Sequence, residues 1–126
     1  MQNKGTKVAI MSPVVSASKI IGEAVINRQK ESLGKVHELV IDTDQGSMAY
    51  VVLSFGGFMG MGNKLFAIPW QAFEFSPTEY KLILNVDKEK LKNAPGFDPE
   101  NMPDFADRTW GEKVHSYYGY RTTWTH

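Results

Sequence analysis

Hydrophobic and polar positions alternate with a period of two through much of the chain. Ala49, Val51, Leu53 and Phe55 fall on one face of a β-branched, aromatic run, and Tyr50, Val52 and Ser54 fall on the other. Leu65-Phe66-Ala67-Ile68 predicts the next strand, ended by Pro69, which has no N–H for a ladder. Tyr80, Leu82, Leu84 and Val86 alternate against Lys81 and Asn85, the cleanest strand signal in the chain. Residues 24–28 and 35–42 predict two earlier strands. In the second of these, Val36, Leu39 and Ile41 share a face only if a bulge lies near His37-Glu38. Residues 74–75 read as extended.

Helical signals are shorter. Ser16 is placed to cap a turn over residues 17–21 that Gly22 ends, and residues 70–73 read as a tight helical turn. Asp87 is placed to cap residues 88–93, which stop before Pro95-Gly96. Trp110, Val114, Tyr117 and Tyr118 form one stripe at helical spacing, predicting a helix over 108–118 between an Asp107 cap and Gly119. Five or six short strands with close turns and no long helix between them favour an antiparallel sandwich or small barrel. The expected fold class is all-β, a small and mostly antiparallel barrel. The chain divides into an N-terminal arm (1–15), a barrel domain (16–94) and a C-terminal aromatic extension with a short helix (95–126). That extension carries Phe97, Phe105, Trp110, Tyr117, Tyr118, Tyr120 and Trp124. So aromatic a segment is expected to dock, either on its own barrel or on another chain.

Composition narrows the function. The 126 residues hold no cysteine, which excludes disulfides, thiolate metal sites and cysteine nucleophiles. Lys+Arg and Asp+Glu are both 14, so the formal net charge is zero. Neither nucleic acid nor an anionic membrane has an electrostatic claim on such a chain. No run approaches the ~20 apolar residues of a membrane span. The apolar block Val8-Ala9-Ile10-Met11 is too short for a secretory leader, so the chain is expected to be cytoplasmic.

Candidate chemistry is sparse. Gly56, Gly57, Gly60 and Gly62 lie between two predicted strands, with Phe58, Met59 and Met61 interleaved. Gly57-Phe58-Met59-Gly60-Met61-Gly62 has the spacing of a phosphate cradle reversed. A dinucleotide turn must lead from a strand into a helix, and this stretch leads into a strand. The glycines therefore read as loop geometry, the bend of a wide hairpin. His37, His115 and His126 have no partner at ligand spacing and read as surface or satisfied polar groups. Asp42-Thr43-Asp44-Gln45-Gly46 opens like a calcium loop, but Gly46 and Leu53 stand where oxygen ligands belong. Glu38 and Asp42 lie roughly 13 Å apart along a strand, beyond the reach of a glycosidase pair. The serines lack a nucleophile-elbow setting. No enzyme activity, cofactor or metal is expected.

One set of segments resembles a known family. Ser16-Ala17-Ser18-Lys19-Ile20-Ile21-Gly22, Val25-Ile26-Asn27, Leu33-Gly34-Lys35-Val36, Leu39-Val40-Ile41-Asp42, Gly46, Tyr50 through Phe58 and Phe66-Ala67-Ile68-Pro69-Trp70 together resemble the PRC-barrel family. That module is named after the photosynthetic reaction centre H subunit. It also ends a ribosome maturation factor and occurs as small stand-alone proteins in bacteria and archaea. The resemblance covers about residues 16–94, and its motifs are mainly structural. It implies a barrel used for assembly and protein contact, here of the stand-alone type. The expected function is a non-enzymatic interaction module that self-associates as a homodimer and binds a further protein. Candidate partner-binding residues are Phe58, Met59, Met61, Trp70, Trp110, Tyr117 and Tyr118. Two alternatives are a small-molecule or nucleotide sensor using the Gly56–Gly62 loop, and a ribosome-associated assembly factor.

Overall fold

The structure is a computed structural model that describes residues 14–56, 63–76, 79 and 81–122. Six strands form one sheet: β1 (Ala24–Ile26), β2 (Ser32–Asp42), β3 (Ser47–Gly56), β4 (Asn63–Pro69), β5 (Phe73–Ser76) and β6 (Lys81–Leu84). Their order across the sheet is β4-β3-β2-β1-β6-β5. The first three of these, with β1, form an antiparallel meander, and β5 pairs β6 antiparallel. β1 runs parallel to β6, with Val25 opposite Leu82. Helix α1 (Ala17–Ile20) precedes the sheet, while α2 (Lys88–Lys92) and α3 (Arg108–Tyr118) follow it.

The sheet is strongly curled. Its two outermost strands, β4 and β5, are joined only by the 3-10 turn Trp70–Ala72. A flat six-stranded sheet would hold them ~24 Å apart at ~4.8 Å per spacing. Four Cα steps span at most ~15 Å, so the sheet must bend round to bring its ends together. The expected closed barrel is corrected at this seam, where β4 and β5 share no ladder among the described residues. Pro69 has no N–H to give, and the outer edge of β4 is already used. Leu65 N–H donates to Phe97 O at 2.9 Å and Phe97 N–H donates back to Leu65 O at 2.8 Å.

The curl encloses the core. Val25, Leu33, Val51, Leu53, Ile68 and Leu84 are fully buried, with Leu91 of α2 packed among them. Burying each such side chain is worth ~1.5–3 kcal/mol relative to leaving it in water. Val52, predicted on the opposite face of β3 from Leu53, is also fully buried, and Tyr50 is 2% exposed. Both faces of β3 are thus covered. The β2 bulge falls where the alternation requires it, between Val36 and Glu38, and a second register shift lies between Val40 and Ile41. Gly34 marks a close approach within β2. Its φ is +115°, and a Cβ there would stand 2.1 Å from the Ser54 carbonyl oxygen of β3.

Two of the three predicted caps are present. The Asp87 side chain accepts from Lys90 N–H, and that of Asp107 accepts from Thr109 and Trp110 N–H at 2.9 and 3.2 Å. Gly119 ends α3 in the left-handed region at φ 87°. Ser16 makes no side-chain cap, and α1 spans a single turn of four residues. Asn27 is 1% exposed and ties the β1–β2 turn together. Its Oδ1 accepts from Gln29 and Glu31 N–H, and its Nδ2 donates to Val86 O at 3.2 Å.

Candidate functional site

The C-terminal extension docks on its own chain through rings. Trp110 lies 5.2 Å from Tyr50 centroid to centroid, tilted by 58°. Phe105 packs edge-on against both Trp110 (5.6 Å) and Phe97 (6.2 Å). His115 meets the edge of Tyr50 at 5.5 Å. These tilted contacts place positive ring edges against negative ring faces. The helical stripe read from the sequence is the docked face, since Val114 and Tyr118 are buried and Trp110 and Tyr117 half-buried.

Tyr50 stands at the centre of this arrangement, on β3 beside the β2–β3 turn. Its hydroxyl is buried with no protein hydrogen-bond partner among the described residues. Burial pushes its phenol up to about 12, so the hydroxyl stays neutral and can donate or accept. His115 is 5% exposed, and its Nδ1 lies 2.8 Å from Gly111 O. A carbonyl only accepts, so Nδ1 carries the proton and donates.

Two clefts flank Tyr50. One, of about 260 Å³, lies among Asp42, Ser47, Tyr50, Trp70, Gln71 and His115. The other, of about 270 Å³, lies among Ile41, Asp44, Ala49, Tyr50, Phe105 and Arg108. Asp42 borders both, and its Oδ1 accepts from Asp44 and Gln45 N–H at 3.0 Å each, which fixes the turn. Ile41 is 54% exposed at the rim. It follows the second register shift of the β2–β3 ladder, where β3 steps from Tyr50 to Met48 for one residue of β2.

A third cleft, of about 320 Å³, lies between α2 and the end of α3, with Gln29, Leu84, Asp87, Lys90, Tyr118 and Tyr120 around it. The Tyr118 hydroxyl is also buried without a partner among the described residues. Burial, with Tyr117 adding to it, holds that phenol far above its ordinary value. Tyr117 donates its hydroxyl to Lys90 O and lies 5.6 Å under the Lys90 ammonium, joining α3 to α2.

Of the residues singled out from the sequence, Trp110, Tyr117 and Tyr118 are thus engaged within the chain. Trp70 follows β4, stacks on Phe73 at 6.3 Å and borders the first cleft. Gly56 ends β3 opposite Asn63. Phe58, Met59, Met61, Gly57, Gly60 and Gly62 lie outside the described residues. Tyr50, Asp42, Phe105 and His115 were not singled out for binding. A strand residue whose cover arrives some 60 positions later leaves no local signal. Among the described residues, no three His, Asp or Glu side chains converge as a metal site would require, and no helix is long and apolar enough to cross a membrane.

No curated protein matches the chain. Among solved structures, the chain is similar to a putative 16S ribosomal RNA processing protein, RimM, from Pseudomonas aeruginosa. The likeness has 16% identity and a TM-score of 0.40, covering 63% of this chain and 48% of that one. The chain therefore spans about half the length of that relative. The family model of the PRC-barrel domain matches residues 13–91, well over half of the sequence, and the chain belongs to the PRC-barrel family.

Proposed function

We propose that the chain is a non-enzymatic interaction module that contacts another polypeptide, a second copy of itself included, through the surface around Tyr50. One observation carries this reading. Ile41 stands 54% exposed at the rim of a cleft whose far wall, Phe105 to Arg108, belongs to the docked extension. Apolar side chains beside shaped clefts suit the anchor-in-pocket contacts that dominate protein interfaces. The surface is composite. Asp42, Tyr50 and Trp70 come from the family-matched residues, and Phe105, Arg108 and His115 come from beyond them. A family fold shared by proteins of different roles gains its own partner in this way.

The test is complex formation by the full chain, followed by light scattering over a range of concentrations and by capture from native lysate. Ile41→Asp is expected to weaken the complex at least about tenfold, as loss of an interface anchor does. A chain that stays monomeric and captures nothing reproducibly overturns the reading, and so does a complex that Ile41→Asp leaves intact.

A further inference from the structure

The two clefts beside Tyr50 differ in charge, and the difference points to what one of them receives. The Ile41 side carries Asp42, Asp44 and Arg108, so acid and base are both present. The Trp70 side carries three rings, Tyr50, Trp70 and His115, and a single charged side chain, Asp42. Its other polar groups are the neutral Gln45, Ser47 and Gln71. Arg121 touches this wall through its backbone, where its carbonyl accepts from Gln71 Nε2 at 3.2 Å. Asp42 is held ready by the two N–H groups on Oδ1, and its Oδ2 accepts from no described residue. The Tyr50 ring lines the cleft, and its hydroxyl is buried with no hydrogen-bond partner among the described residues.

Aromatic faces attract cations through their quadrupole, and a fixed carboxylate adds a charge-assisted hydrogen bond. A planar guanidinium uses both, stacking on a ring while its N–H fork meets the carboxylate. At about 260 Å³ the cleft is smaller than the ~300–1,000 Å³ typical of sites for whole small molecules, which favours a side-chain head. We infer that the cleft between Trp70 and His115 receives an arginine side chain of the partner polypeptide, paired with Asp42 and stacked on Trp70. This inference rests on the interaction reading above and names the partner's chemistry.

The test is an amide and indole NMR titration of the full chain with N-acetyl-arginine methylamide, its citrulline counterpart and tetramethylammonium. The arginine probe is expected to shift the Trp70 indole N–H and the Tyr50 amide saturably, with a Kd on the order of 1 mM. The citrulline probe, equal in shape and uncharged, is expected to bind at least about tenfold more weakly. Asp42→Asn keeps an oxygen for the turn and should cost the arginine probe a similar factor, with melting temperature serving as the check on folding. Equal shifts from citrulline overturn the inference, as do shifts confined to other residues or an unaffected Asp42→Asn. Tetramethylammonium binding as tightly as the arginine probe also overturns it, assigning the cleft to small organic cations. Arginine-probe binding that appears only in Arg121→Ala overturns it too, because the chain's own arginine then fills the cleft. A partner complex sensitive to Ile41→Asp but indifferent to Asp42→Asn and Trp70→Leu sinks this inference and leaves the interaction reading standing.

Discussion

The sheet and the extension that crosses it are held by different kinds of contact. Between Val25 and Leu84 the sheet packs on a core of mainly aliphatic side chains, most of them wholly buried, and a change at one is felt through all its neighbours. Residues 95–122 join the core through the buried Val114 and Tyr118 and are otherwise held by a few anchors. These are one backbone bridge at Phe97, the rings around Tyr50, the Tyr117 hydroxyl on Lys90 and the Gln71 amide on Arg121. A continuous core holds the first region, and a smaller buried face with a handful of anchors holds the second. Damage to the sheet should therefore be global, and damage to the extension should stay local.

The largest expected effect lies in the sheet. Leu53→Ala empties a fully buried site on the central β3 and should cost ~2–5 kcal/mol in urea unfolding. Sheet and extension should unfold together. Two separated transitions would show that the extension carries stability of its own. A smaller and confined effect is expected at the start of α3. Asp107→Ala removes the oxygen that accepts from Thr109 and Trp110 N–H, worth ~1 kcal/mol. Hydrogen exchange should quicken in the first turn of α3 and hold steady in β2 and β3. Exchange rising equally in both places would erase the distinction between the regions. The smallest effect is expected where the two regions meet. Tyr50→Phe keeps the ring packing and deletes a buried hydroxyl that no described residue satisfies, so stability should hold or rise by less than ~1 kcal/mol. A clear loss would mean that this hydroxyl is already hydrogen-bonded in solution.

The strands were legible in the sequence because a half-buried strand writes its period into its own residues. The β2 bulge could be placed from Val36, Leu39 and Ile41 alone, and Asp87 and Asp107 announced their helices by their side-chain chemistry. What remained hidden is information that no local window contains. Tyr50 reads only as a residue on the opposite face of β3 from Leu53 until Phe105, Trp110 and His115 are brought over it. The pairing of Ile41 with Met48 depends on a register shift that skips Ala49 across the hairpin. The open seam between β4 and β5 follows from Phe97 taking the edge of β4, a pairing across some 30 residues of chain. The stretch Gly56–Gly62 stands out by composition, whereas the clefts beside Tyr50 lie toward the other end of the same strand. At ~3.4 Å per residue, Tyr50 and Gly56 stand ~20 Å apart.

The parallel pairing of β1 with β6 has a kinetic consequence. The β2-β3-β4 meander is made by hairpins, whose short loops cost little entropy to close. β1 is flanked on one side by that meander and on the other by a strand from far along the chain, and the Asn27–Val86 clamp beside it joins residues 59 apart in sequence. Contacts of such separation are rewarded only after most of the intervening chain has been ordered. The seam through β1 and β6 is then the slow step of assembly, and a nascent chain cannot complete its sheet until synthesis has passed Val86.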